Sequence, residues 1–165
     1  VPNHQVLRNT SLKMRADVAY FGTFGYELNP NSLTEAEQEQ IKKQTAFMKK
    51  YRSLIQYGTF YRLRSPFAGN EMAWMVVSGD KKEALVGWYR FLEPVNIGYR
   101  RLVLQGLDPE QQYQISGWKT ELYGDELMQA GLIVSDAASG QNQDQYNGEN
   151  GDFQSRLYLL KAKER

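Results

Sequence analysis

Few side chains in this sequence could do chemistry, and their spacing limits what that chemistry could be. The single histidine, His4, stands between Asn3 and Gln5 in "VPNHQ". The triplet could line a binding site, but a histidine without a positioned partner argues weakly for acid–base catalysis, and a loop hydrogen-bond network is the plainer reading. Among the acids, Asp17 and Glu27 flank an apolar run, and Asp125 and Glu126 are adjacent in "YGDEL". On a strand, adjacent residues point to opposite faces, so Asp125 and Glu126 cannot work as a pair. One histidine and no cysteine leave no site for zinc. Asp136, Asn142, Asp144 and Asn147 have the residue types of a calcium loop without its spacing, which favours a solvated loop. Neither a metal nor a cofactor is expected.

The composition restricts the setting. The 165 residues, 41% of them hydrophobic, suffice for one moderate domain, or one plus a fragment. A net charge of +1 creates no global field to select nucleic acid or an anionic membrane. The absence of cysteine favours a reducing compartment, and so the cytoplasm. No run approaches the roughly 18 apolar residues of a membrane span. The opening Val-Pro suggests a chain that begins in the middle of a longer one.

The elements that would position these groups change character at Gly58. "VAYFGTF", Val18 to Phe24, is a continuous apolar run and predicts a strand buried on both faces, as in a parallel sheet. Thr34 followed by Glu37 is a capping box and predicts a helix from there, with Ile41, Phe47, Met48, Tyr51, Leu54 and Ile55 on one stripe and Gly58 at its end. Beyond Gly58 the period becomes two: "TFYRLR", "EMAWMVVS", "EALVGWYRFL", "RRLVLQGL", "YQISGWKTEL" and "DFQSRLYLLKA" alternate as strands of an antiparallel sandwich. "SGDKK" reads as a hairpin connection and "GLDPEQQ" as a turn, while Trp74, Trp88 and Trp118 fall inside strands. Residues 135–152, polar and rich in Gly, Asn and Gln, read as a long loop. A single strand-helix unit cannot cover a two-faced strand, so its neighbours are expected upstream.

"VPNHQ", "GTFGYEL", "KKYRSLIQYGTFYRLRSPF", "AWMVVS", "EALVGWYR" and "YGDELMQAGL", in this order, resemble the C-terminal portion of bacterial α-galactosidases of glycoside hydrolase family 36. The resemblance runs from end to end. It implies a mainly β fold: an antiparallel β-sandwich domain over residues 58–165, preceded over residues 1–57 by the last strand and helix of a catalytic (β/α)8 barrel, with Val18–Phe24 as the eighth strand and Thr34–Tyr57 as the eighth helix. It further implies that the parent is a retaining glycoside hydrolase that releases terminal α-galactose from oligosaccharides through two carboxylates about 5 to 5.5 Å apart. Both belong to motifs absent from this chain, so no catalytic residue is expected here and the fragment should be supporting and inactive alone. His4, Gln5 and Phe24 are the expected substrate-binding residues, although core or rim packing also suits Phe24, and Phe21 beside it. Glu27 could reach the site rim, where a hydrogen bond or salt bridge is the plainer role. The parent is expected to take an α-galactoside, to form a homo-oligomer and to engage neither nucleic acid nor membrane.

Two other functions fit the residues less well. A carbohydrate-binding β-sandwich module would need a surface platform, which Trp88, Tyr89, Trp118 and Tyr123 could supply. A single-stranded nucleic-acid binder would need a basic groove beside stacking aromatics, for which only "GYRR" and the Lys-rich helix speak. Aromatics alternating with Leu and Val inside strands argue for a core instead.

Overall fold

The computed structural model describes residues 10–95, 100–134 and 152–163. Two helices come first. α1, Leu12–Ala19, is capped by Ser11, whose side chain accepts from the Met14 amide. α2, Glu35–Tyr57, opens on the expected capping box: Thr34 N donates to Glu37 Oε2 at 2.8 Å and Glu37 N donates to Thr34 Oγ1 at 3.2 Å. These bonds satisfy amide groups that the first helical turn leaves without partners. A 3-10 turn, Pro30–Ser32, separates the two helices.

The remainder is antiparallel. β1 (Thr59–Arg64), β2 (Glu71–Val77), β3 (Glu83–Arg90), β5 (Gln112–Ile115), β6 (Glu121–Tyr123) and β8 (Gln154–Ala162) form one sheet in the order β1-β2-β3-β8-β5-β6. β4 (Arg101–Leu102) and β7 (Leu132–Ile133) make a two-stranded ribbon, and the short α3 (Gly124–Gln129) leads into β7. Alternation within the strands divides the apolar residues between two faces. Ala73, Met75, Val77, Val86, Trp88 and Leu160 face Leu102, Leu104, Leu107, Leu127 and Leu132 from the ribbon, its connection and α3. Val76 and Leu85 face Leu54 of α2 on the opposite side. The central strands therefore lie between a helical layer and the ribbon with α3, and β3 is buried along nearly its whole length. The stripe expected on α2 faces inward, with Met48, Tyr51 and Leu54 buried and Phe47 and Ile55 packed at the edge.

The expected mainly antiparallel β domain after a barrel-end helix is thus present, with several local differences. Val18–Phe24 is not a strand: Val18 and Ala19 finish α1, and Tyr20–Gly22 turn away through amides that bond back to Ala16, Val18 and Ala19. The apolar run packs as a helix end and an aromatic cluster, with Tyr20 against Phe24 and Phe47 and Phe21 against Trp74. "SGDKK" does form the β2–β3 hairpin, but the left-handed residue is Lys81, with Asp80 Oδ1 accepting from Ser78 Oγ at 2.7 Å and from Lys82 N at 3.1 Å. "RRLVLQGL" pairs only over Arg101–Leu102, and Leu104 and Leu107 then turn into the core. "YQISGWKTEL" is two strands, with Trp118 in the turn between them. Residues 135–151 lie outside the described residues.

Gly58 ends α2 with φ −73° and ψ 165°, so its role is not the left-handed cap that glycine commonly supplies. It lets the helix end sit against β2: a Cβ there would meet the Val76 side chain, and would lie 2.6 Å from Leu54 O and 2.7 Å from Val77 O. Gly58→Ala is therefore expected to cost about 1 to 3 kcal/mol in chemical denaturation. Gly79→Ala, where a Cβ meets nothing within 4 Å, should stay within about 0.5 kcal/mol of the parent.

Candidate functional site

The groups able to do chemistry gather where α1 and α2 meet the sheet. Asp17 lies in the last turn of α1 and is 6% exposed. Its Oδ2 accepts from Lys13 Nζ at 2.8 Å and from Ser155 Oγ of β8 at 2.6 Å. Lys13 Nζ also donates to Ser155 O at 2.6 Å, and the Tyr89 hydroxyl of β3 donates to Asp17 O at 2.6 Å. A buried carboxylate is tolerated when paired and hydrogen-bonded. This one is occupied on both counts, so it ties the helix to the sheet and is not a free acid or base. Gly87 makes room for the arrangement, since a Cβ there would lie 2.5 Å from the Tyr89 hydroxyl and 2.9 Å from the Phe21 ring.

After α1 the chain continues without regular secondary structure from Thr23 to Glu27, with Phe24 and Tyr26 half-buried and Thr23, Gly25 and Glu27 exposed. Phe24 stacks on Tyr20 at 5.0 Å between centroids, and Tyr26 meets its edge at 5.3 Å. Tyr20 also packs on Phe47 of α2 at 4.7 Å. Gln44, buried on α2, holds the segment: its Oε1 accepts from the Tyr26 hydroxyl at 2.6 Å, its main-chain oxygen from the Tyr20 hydroxyl at 3.2 Å, and its Nε2 donates to Leu12 O at 3.2 Å. Burial is the main reason that Tyr20, Tyr26 and Tyr89 ionise above the usual tyrosine range; nearby Tyr26 and Asp17 add to it at Tyr20, and Asp17 at Tyr89.

Of the expected substrate-binding residues, Phe24 is a half-buried member of this cluster, between exposed Thr23 and Gly25. His4 and Gln5 lie outside the described residues, as do Asp136, Asn142, Asp144 and Asn147. Glu27 is exposed at the end of segment 23–27. Asp125 and Glu126 do not sit on a strand. They form the first turn of α3, where Glu126 Oε2 accepts from Tyr123 N at 2.9 Å and Asp125 Oδ1 from Glu126 N at 2.8 Å. Carboxylates cap helix N-termini favourably, and the sequence "YGDEL" was equally compatible with that role. No group of acids and histidine among the described residues could hold a metal ion. No helix among them is long and apolar enough to cross a membrane.

The aromatic platform is not assembled. Trp88 and Tyr89 are fully buried on opposite faces of β3, and Trp118 packs against the core. Trp88 lies beneath the guanidinium groups of Arg90 and Arg156, 5.4 and 5.7 Å from its ring. Sequence reasoning missed Gln44, Ser155 and Gly87, because their value depends on what the fold brings opposite them. It also missed an open cleft of about 900 Å³ between the end of α2, the β2–β3 turn and the end of β8, bordered by Lys50, Tyr57, Asp80, Lys82 and Lys161.

Residues 71–160 match the glycosyl hydrolase family 36 C-terminal domain, and residues 1–58 match melibiase. The chain is 49% identical over 163 residues to alpha-galactosidase AgaA of Geobacillus stearothermophilus, covering 98% of this chain and 20% of that protein. It is 35% identical over 161 residues to alpha-galactosidase Mel36A of Lactobacillus acidophilus, again 98% of this chain and 20% of that protein. The crystal structure of the GH36 alpha-galactosidase AgaB from Geobacillus stearothermophilus superposes with a TM-score of 0.87 at 50% identity, covering 99% of this chain and 21% of that one. A variant of AgaA from the same organism, solved in complex with raffinose, superposes with a TM-score of 0.87 at 47% identity, with the same coverage. The chain thus spans about a fifth of the length of the relatives it matches.

Two outcomes follow from the junction. Asp17→Ala should destabilise the fold by about 2 to 4 kcal/mol in urea titration, since it leaves Lys13, Ser155 and the helix tie without their shared acceptor. In alkaline titration followed by tyrosinate absorbance, Tyr20 and Tyr89 should ionise only above the usual tyrosine range of about 10, with unfolding. Their folded-state values lie above the unfolded ones, so their contribution to stability is complete below pH ~10 and is lost as pH rises beyond it.

Proposed function

We propose that this chain, which belongs to glycoside hydrolase family 36, works as the C-terminal portion of a retaining α-galactosidase that releases terminal α-galactose from oligosaccharides. In this reading residues 1–57 end the catalytic (β/α)8 barrel and residues 58–165 form a β domain that supports it. The observation that carries the reading is the match to α-galactosidases along nearly the whole chain, combined with an arrangement in which the buried acid, Asp17, is fully engaged in holding a helix.

Retention requires a nucleophilic carboxylate and a second carboxyl group that first protonates the leaving oxygen and then activates water, with the two about 5 to 5.5 Å apart. Such a pair works only when rigid elements hold it in place. On this reading the upstream strands supply both groups, and no metal or cofactor is needed. His4, Gln5 and Phe24 then line the sugar site. Of the three, Phe24 lies among the described residues, half-buried on Tyr20 and beside exposed Thr23 and Gly25. The raffinose complex of the related enzyme supports an oligosaccharide as substrate. A homo-oligomeric parent in the cytoplasm completes the proposal.

The test compares this 165-residue chain with a longer protein carrying the upstream barrel, on a chromogenic α-galactoside. The longer protein should turn over and the chain should show no activity above buffer. Activity of the chain that survives repurification and disappears in Glu27→Gln would overturn the assignment.

A further inference from the structure

The helical layer covers only part of its side of the sheet. α1 lies over β8, tied by Asp17 to Ser155, and α2 lies over β2 and β3 through Leu54 against Val76 and Leu85. Passing from α1 to α2 therefore moves across the sheet toward β1. Beyond α2 the same face is partly open among the described residues. Phe60 of β1 is 46% exposed, and Tyr57, at the end of α2, is 82% exposed. Phe60 is joined by ring contact to Trp74 at 6.4 Å, and Trp74 in turn meets Phe21 at 5.9 Å and Tyr89 at 4.8 Å. Aromatic surface left open beside a packed layer marks an interaction site.

We infer that Tyr57, Phe60 and Trp74 seat the first strand-helix unit of the upstream barrel, which closes the ring next to α2. The inference rests on the barrel reading proposed above. In a closed (β/α)8 ring the helices follow one another around the circumference and the last neighbours the first. With α1 over β8 and α2 over β2–β3, the next helix round falls over β1, where these aromatics lie. The matched relatives are about five times as long as this chain, so they have the polypeptide to fill that place. The melibiase match ends at residue 58, two positions before Phe60, so the strip lies on the junction between the two portions. Thr23, Gly25 and Glu27 are also exposed.

Hydroxyl-radical footprinting read by mass spectrometry tests the assignment on this chain and on the longer protein bearing the upstream barrel. Tyr57 and Phe60 should be labelled at least about tenfold less in the longer protein, while Phe67, 97% exposed on the β1–β2 loop, serves as the reference. Phe60→Asp should lower the melting temperature of the longer protein and leave that of the isolated chain nearly unchanged. Equal labelling of Phe60 in both, in a longer protein that hydrolyses an α-galactoside, overturns the inference while the family reading stands. Loss of hydrolysis in the longer protein counts against that reading instead. Protection of Phe60 in the isolated chain that grows with its concentration assigns the face to a second copy and likewise overturns the inference.

Discussion

A sheet that is apolar on both faces must be covered twice, and the second cover here hangs on one carboxylate. The ribbon side closes by shape alone, with leucines from β4, its connection, α3 and β7 meeting Met75, Val86 and Leu160. The helical side is less self-evident. α1 is short, and it presents only Met14, Ala16 and Tyr20 as buried apolar groups. Apolar burial is non-directional and would permit it to rotate or slide. The bonds from Ser155 to Asp17, from Lys13 to the Ser155 main-chain oxygen, and from Tyr89 to the Asp17 main-chain oxygen are directional and fix both its rotation and its height over β8. Once α1 is set, Tyr20 sets Phe24, and Gln44 of α2 sets Tyr26. The position of segment 23–27 is thus inherited from a polar contact on the other side of the helix.

This dependence explains which elements the sequence made legible. α2 could be read in full because its signals are local: Thr34 and Glu37 are three residues apart, and its apolar stripe recurs from Ile41 to Ile55, about four turns. The β2–β3 hairpin was legible for the same reason. Val18–Phe24 was misread because an apolar run of that length fits a buried strand and a helix end equally well, and partners elsewhere in space decide between them. "YGDEL" was misread as strand because Tyr123 is one, whereas Gly124 begins a helix whose entry depends on its close approach to Asp108. Asp125 and Glu126, expected on opposite faces of a strand, lie instead in the first turn of α3. Gln44 escaped notice because a glutamine inside an apolar stripe has no meaning until Tyr20, Tyr26 and Leu12 are placed around it.

The polar groups of the described fold are spent on architecture. Glu71 is buried between Arg64 and Arg100, with Arg100 Nη1 2.7 Å from its Oε1, and Arg64 Nη2 extends the tie to Arg101 O at 2.8 Å. Asp108 caps the turn before β5, and Asp80 closes the β2–β3 hairpin. Two arginines hold Glu71, and main-chain amides hold Asp80 and Asp108, so these carboxylates serve the fold. A retaining glycosidase needs carboxyl groups in the opposite condition, one of them able to exchange a proton during the cycle.

The passage from α2 to β1 has a mechanical consequence. Only Gly58 separates the last helical residue, Tyr57, from the first strand residue, Thr59. Its amide is bonded to Leu54 O at 2.9 Å, and β2 stands so close that no Cβ fits. A linker of several polar residues would let two units pivot about each other. A single glycine wedged between helix and sheet, with Leu54 packed on Val76 and Leu85 beside it, allows no such freedom. Displacing α2 relative to the sheet would break the hydrogen bond, open the apolar contact and disturb the pairing of Thr59 with Val77 together. The helix and the β domain therefore move as one body. A barrel that includes α2 would gain from the sheet a rigid outer wall at the point where its ring closes.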